Sequence, residues 1–397
     1  MQTMVSPMPK RNAQGAGSIR QRKDGTWEAR YTAGRNPATG KQVQKSVYGK
    51  TQKDVRQKLS LVTVEMDSGT YAEPSRLTMG EWLDIWLKEY VAVSVKPSTL
   101  YNYKKCCNGY LKPNLSTIKL SAVNAPTIQK LINALHNGCD GKKGLAPKTI
   151  KNIHGVLHKA LQQAVTIGYL KSNPADACKL PRVIKKEIKP LDNVHISSFI
   201  NAIKGHEFET LFLVALFTGM RQSEAIGLRW ACVDFDSGTI LINAQLVRCY
   251  ETGAYVFDES TKNHSARSIT PASFVMNLLA EHKKVQDSAR QFACEAWVSS
   301  DYVFTNPLGE HLKHVTVQKN YKRIVESIGI PASRYHDLRH SYAVASLQAG
   351  DDVKTVQENL GHYTAAFTLD VYAHVTEQMK RESANRMDAF INSMSAS

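Results

Sequence analysis

RYHDLRHSYA, residues 334–343, sets His336 and Arg339 three positions apart, on one face of an expected helix. Three other short stretches hold basic and hydroxylated residues in the same part of the chain. Upstream, TGMRQSEAIGLRW (218–230) places Arg221 just past an expected helix end, with Glu224 on the next turn. ESTKNHSARSITP (259–271) puts Lys262 at an expected hairpin tip. Downstream, LGHYTAAFTLDVYAHV (360–375) has His362 after a glycine, at an expected helix start, and Tyr372 ten positions later.

Two arginines, a lysine, two histidines and a tyrosine are what a metal-free attack on a phosphodiester needs. Arg221 and Arg339 can each offer a planar fork of donors to the non-bridging phosphate oxygens, where charge grows as phosphorus becomes pentacoordinate. Tyr372 is the candidate nucleophile; its phenol, with an ordinary pKa of about 10, needs a base or a cationic field nearby. His336 is the natural base, Lys262 is placed to protonate the leaving sugar oxygen, and His362 can donate to the phosphate. Singly, each residue has a plainer reading. Arg221 and Glu224 would make an ordinary ion pair, His336 a satisfied structural histidine, and Tyr372 one of 16 tyrosines. Their order along the chain is what favours the chemical reading.

The 397 residues suit two or three domains, and 42% hydrophobic content can fill real cores. A net charge of +16 points to an anionic partner, nucleic acid before membrane surface. No apolar run of about 18 residues suggests a membrane span, and MQTMVSPMPKRNAQGAGS lacks the apolar segment of a secretory signal. Seven cysteines, an odd number without a CxxC pair, argue against a disulfide framework and against a zinc knuckle. The expected setting is reducing and cytoplasmic, with no metal and no cofactor.

The expected fold is multidomain α+β. Residues 1–70 read as a three-stranded sheet plus a helix: GSIRQRKDGTWEARYTAG turns at Asp24–Gly25, KQVQKSVYG adds a strand, and Thr51 can cap the helix that follows. The first 60 residues hold 13 Lys and Arg against 3 Asp and Glu, so this sheet is expected to present Arg20, Arg22, Lys23, Arg30, Lys41 and Lys45 to DNA. Residues 77–180 read as an all-α bundle with Met79, Trp82, Leu83, Trp86 and Leu87 at helical spacing. Its Lys96, Lys104, Lys148 and Lys151 are expected near helix starts and loops, where backbone N–H groups help to hold phosphates. NPADACKLPRVIKKEIKPL is expected to pass over the surface as an irregular linker. Residues 190–397 read as a mainly α domain with a small antiparallel sheet. A last helix carries Met379, Met387, Phe390, Ile391 and Met394 roughly on one face.

The order TG-x-R-x-x-E, T-K with S-x-R beyond it, H-D-L-R-H, L-G-H and V-Y-x-H resembles the tyrosine recombinases, most closely the integrases of lambdoid phages and conjugative transposons. The resemblance covers the whole third region, and the two others are similar to that family's arm-site-binding and core-site-binding modules. It implies that Arg221, Lys262, His336, Arg339, His362 and Tyr372 form the catalytic set. Tyr372 would attack the scissile phosphate to give a 3′-phosphotyrosyl link, and exchange would pass through a Holliday junction. It implies double-stranded DNA with core- and arm-type sites, a tetramer in the synaptic complex, and an excisionase and a DNA-bending protein as partners. The middle and last domains would clamp the duplex, and the tail would pack on a neighbouring protomer. Two rivals share the scaffold: a topoisomerase of type IB, and a catalytically silent DNA-binding regulator.

Overall fold

A computed structural model describes residues 18–35, 39–67, 76–138, 143–184, 190–249, 252–258, 266–361, 381, 384–388 and 390–394. The chain folds as two compact units, Met1–Ile184 and Lys185–Ser397.

The first unit opens with an antiparallel sheet of β1 (Ser18–Gln21), β2 (Trp27–Arg35) and β3 (Gln42–Gly49), in that order. Gly25 supplies the positive φ (+83°) of the first turn, as its Asp-Gly sequence leads one to expect. Helix α1 (Gln52–Asp67) starts at Thr51, whose hydroxyl accepts the Asp54 N–H at 3.2 Å. Strand pleating then sorts the side chains by parity. Ala29, with Ile19, Trp27, Tyr31 and Val47, packs against Val55 and Leu59 of α1. On the opposite face Arg20 pairs across from Glu28, and Arg30 across from Ser46. Lys45 opposes Tyr31 and shares the parity of Val47, which puts it on the helix-covered face. This corrects its expected place beside Arg20 and Arg30. Arg22 and Lys23 lie in the exposed β1–β2 turn, and Lys41 is exposed just ahead of β3.

The helical part comprises α2 (Met79–Ile85), α3 (Pro97–Cys106), α4 (Lys112–Leu115), α5 (Ala125–Asn137) and α6 (Pro147–Thr166). Helices α2 and α3 each run on into a π-helical turn, Trp86–Val91 and Cys107–Leu111. At the start of α2, Thr78 and Glu81 cap each other reciprocally. The expected stripe of Met79, Trp82, Leu83, Trp86 and Leu87 is buried, and Trp82 Nε1 donates to the Ala160 carbonyl at 2.9 Å, tying α2 to α6. Pro97 occupies the first helical position with Lys96 as the cap residue. Lys148 and Lys151 stand exposed in the first turns of α6. Lys104 instead sits in the last turn of α3, where the helix runs on into the π-helical turn Cys107–Leu111, and not at the expected helix start or loop.

The linker is shorter than expected. Asn173 and Ala175 are buried against the bundle, because the Asn173 amide donates to the His158 carbonyl at 3.1 Å and its oxygen accepts the Ala175 N–H at 3.0 Å. Cys178 and Leu180 pack on the same core.

The second unit contains α7 (Asn193–Ile203), α8 (Glu209–Thr218), α9 (Gln222–Ile226), α10 (Ser273–Ala293), α11 (His314–Ser327), α12 (Tyr335–Gln348) and α13 (Val353–Leu360). Residues Leu211–Leu216 of α8 are buried on every side, so this helix is the spine of the core. Strands β4 (Val233–Asp234), β5 (Thr239–Ile242) and β8 (Arg267–Ile269) form one antiparallel sheet, and β6 (Gln245–Arg248) with β7 (Tyr255–Asp258) forms another. The continuous stretch GTILINAQLVRCY (238–250) therefore holds two strands in two sheets. Residues 381, 384–388 and 390–394 are helical, with Met387, Phe390, Ile391 and Met394 exposed; Met379 lies outside the described residues. No helix among the described residues is long and apolar enough to cross a membrane.

Candidate active site

Helix α8 ends at Thr218, whose hydroxyl donates to the Val214 carbonyl at 2.6 Å, and Gly219 follows in the left-handed region at φ +64°. A Cβ at Gly219 would lie 2.6 Å from the side chains of both Leu360 and Tyr342. Glycine therefore allows both the turn and the close approach of α13. Two residues later Arg221 enters α9. Its N–H donates to Glu224 Oε2 at 2.9 Å and its Nη1 to Oε1 at 2.6 Å.

Glu224 is 2% exposed and serves a second arginine. Arg267 Nη2 donates to Oε2 at 2.6 Å and Nη1 to Oε1 at 3.2 Å. Burial pushes the Glu224 pKa up, but the hydrogen bonds and charges of Arg267 and the charge of Arg221 outweigh it and hold the carboxyl down to about 2. The acid is thus ionised between two guanidinium groups.

Helix α12 begins in a related way: Asp337 reaches back to accept the Arg334 N–H at 2.8 Å and the Arg334 Nη2 at 2.8 Å. This start sets the phase of His336 and Arg339. Arg339 is 2% exposed; its Nη1 donates to the Gly219 carbonyl at 2.8 Å and its Nη2 to the Leu360 carbonyl. Arg221 Nη2 donates to the Gly361 carbonyl at 3.3 Å, and Arg267 Nε to the Asn359 carbonyl at 2.8 Å. Three guanidinium groups therefore end on three consecutive carbonyls at the C-terminus of α13, the negative end of its dipole. Gly361, at φ +63°, closes that helix. The helix start expected at His362 lies outside the described residues.

His336 faces a cavity of about 740 Å³ lined also by Arg221, His314, Lys322 and Arg334. The His336 side chain is exposed on this cavity, with the His340 ring centroid 4.8 Å away and nearly perpendicular to it. Burial, His340, Arg339 and Arg221 push its pKa down to about 4 against the opposing pull of Asp337. At neutral pH the ring is uncharged and able to accept a proton.

Of the six expected catalytic residues, Arg221, His336 and Arg339 come together around the end of α13. Lys262, His362 and Tyr372 lie outside the described residues. The hairpin tip expected at Lys262 lies outside the described residues too; upstream of it, β6 and β7 form a hairpin closed where the Cys249 N–H donates to the Ala254 carbonyl. Arg267, the arginine of the S-x-R motif, carries no expected role in the sequence. Its parity was the available signal, since it stands two residues before buried Ile269 on a strand and so faces inward.

The chain is similar to known proteins over most of its length. The sequence pattern of the phage integrase family matches residues 190–379, and that of the phage integrase N-terminal SAM-like domain matches 78–136. A tyrosine recombinase XerC-like protein of Caldanaerobacter subterraneus subsp. tengcongensis is 31% identical over 381 residues, 91% of this chain and 95% of the relative. The ICEBs1 integrase of Bacillus subtilis is 23% identical over 94% of this chain and 99% of its own. Among solved structures, a Tn1549 transposon integrase in complex with transposon right end DNA superposes with a TM-score of 0.67 at 22% identity, over 79% of this chain and 100% of that one. A lambda integrase tetramer bound to a Holliday junction gives 0.53 at 18% identity, over 87% and 96%.

Proposed function

From a chain that belongs to the phage integrase family, the tyrosine recombinases, we infer how its own residues carry out the family's reaction. The protein is a site-specific recombinase that cleaves and rejoins DNA in the movement of a mobile element.

The catalytic set is Arg221, Lys262, His336, Arg339, His362 and Tyr372. Tyr372 Oη attacks the scissile phosphorus as His336 takes the phenolic proton; the bond to the 5′ oxygen breaks, and Lys262 protonates that oxygen. Arg221, Arg339 and His362 stabilise the extra negative charge on the non-bridging oxygens. A 5′-hydroxyl from the partner duplex reverses the step, so the phosphodiester energy is kept in the tyrosyl link. The observation that supports this best is the gathering of three guanidinium groups on residues 359–361, next in sequence to His362, beside a histidine held neutral. A nicked duplex that traps the adduct tests the reading. Wild type should yield a covalent complex whose modified peptide contains Tyr372, Tyr372→Phe should bind without forming it, and attachment at another tyrosine would refute the assignment. Joined heterologous duplexes, rather than relaxed circles alone, separate a recombinase from a type IB topoisomerase.

The chain divides functionally into an arm-site module (1–70), a core-site module (77–180) and the catalytic domain (190–397). Separate hydrophobic clusters centred on Ala29, on Trp82 and on Phe212 support the division. Arg20, Arg22, Lys23, Arg30 and Lys41 would serve arm DNA, and Lys96, Lys148 and Lys151 core DNA. The active assembly is a tetramer, the state of the lambda integrase on its junction, with an excisionase and a bending protein as accessory partners. Exposed Met387, Phe390, Ile391 and Met394 support packing of the tail on a neighbouring protomer. The six described cysteines are free thiols, in keeping with a reducing, nucleoid-associated setting in the cytoplasm.

A further inference from the structure

On the sheet face turned away from α1, one acid stands among cations. Glu28 in β2 is 3% exposed, covered by its own partners. Arg20, directly opposite on β1, donates Nε at 2.8 Å and Nη2 at 2.7 Å to its Oε2. Arg30 donates Nε to Oε1 at 3.1 Å, and Ser46 on β3 donates to the same oxygen at 2.7 Å. One carboxylate therefore joins all three strands. The hydrogen bonds of Ser46 and Arg20 hold its pKa down to about 2, so it stays charged. The side chains of Arg20 and Arg30 remain 56% and 44% exposed, and Arg22 stands 5.5 Å from the Tyr48 ring centroid on the same side.

A surface that only grips phosphates gains nothing from a central acid, since each negative charge weakens the counterion release that drives such binding. What the acid supplies is direction. An arginine reads a base edge only when its planar fork is held in the plane of that edge, and a free arginine side chain has many rotamers. We infer that Glu28 is a specificity-determining positioning residue, which orients Arg20 and Arg30 toward base edges in duplex DNA and withholds part of their charge from indiscriminate phosphate binding. This rests on reading the sheet as a DNA-binding face.

The test uses the full chain carrying Tyr372→Phe and a pool of duplexes with a randomised core, sequenced before and after capture. Base positions whose enrichment disappears in an Arg20→Ala, Arg30→Ala double variant are those the sheet reads. Glu28→Gln should flatten enrichment at these same positions about tenfold. It should bind the unselected pool as tightly as the parent or more so, with a salt slope steeper by up to about one. Ser46→Ala, which removes only the hydroxyl's hydrogen bond, should flatten the same positions to a smaller degree. Unchanged enrichment in Glu28→Gln would overturn the role of Glu28. Weakened pool binding in Glu28→Gln with full enrichment in Ser46→Ala would overturn it as well. Full enrichment in the double arginine variant would instead overturn the DNA-binding reading of the sheet.

Discussion

Arg221 commits one part of its fork to Glu224 and another to the Gly361 carbonyl. A lysine offers a single compact ammonium and cannot hold both while facing a phosphate. Arg221→Lys should therefore retain DNA binding in band-shift assays yet lose on the order of a hundred-fold in covalent adduct formation; near-normal adduct yield would remove Arg221 from the site. His336 gives a pH prediction with a definite sign. Its folded pKa of about 4 lies below the ordinary 6.5, so the base is neutral throughout the physiological range and its contribution to cleavage falls only as pH drops through about 4. In the same window the unfolded chain takes up the proton first, so this residue's contribution to stability is lost as pH falls from 6.5 towards 4. A cleavage profile titrating near 6.5 in wild type, and flattened in His336→Gln, would contradict the burial and charge argument. At this scale Arg221, His336 and Arg339 were legible because their types and spacing are dictated by phosphate chemistry. Arg267 was not, because a lone arginine on a short strand reads as surface until tertiary packing shows Glu224 beside it.

Helix ends, more than helix bodies, shape the site. Gly219 ends α8 and Gly361 ends α13, both in the left-handed region, and their carbonyls accept from Arg339 and Arg221. Gly219→Ala combines a strained φ with a Cβ placed 2.6 Å from Leu360 and Tyr342. The expected cost is on the order of 2 kcal/mol, read as a lower midpoint in urea, together with reduced cleavage because the Gly219 carbonyl orients Arg339. A variant as stable and active as the parent would show that this close approach is not needed. Elements whose ends carry glycine or a capping acid were legible in advance. The sheets were less so, for a reason visible in GTILINAQLVRCY. Ile240, Ile242, Ala244 and Leu246 are buried in unbroken alternation across the point where β5 gives way to β6 and the chain changes sheet. Periodicity reports which face is inward, not which strand is the neighbour. Lys45 shows the complement: its parity with Val47 sets its face, and its charge carries no information about that.

At the scale of the whole molecule, charge and core are distributed unequally. Residues 1–70 hold 13 Lys and Arg against 5 Asp and Glu, a net +8, which is half of the chain's +16. Their apolar cluster of Ala29, Val55 and Leu59 is separate from the one that buries Trp82 and from the one around α8. The charge asymmetry made the first module legible. The start of the linker is not legible in the sequence, because a Pro- and Lys-rich stretch conceals Asn173, whose amide satisfies the His158 carbonyl only once α6 is folded beside it. Both points bear on a chain beginning at residue 71. Removing the first module takes away a sheet with its own core, so the rest should fold and still form the tyrosyl adduct on a short core-type duplex. It should also lose half of the chain's net charge, so the slope of log K against log salt should become shallower on long DNA, and preference for arm-type sequences should disappear. If the shortened chain kept both the slope and the arm preference, the basic sheet would have no part in DNA recognition. If it lost adduct formation on the short duplex, residues 1–70 would be needed for cleavage itself, and the division into arm-site and catalytic parts would have to be redrawn.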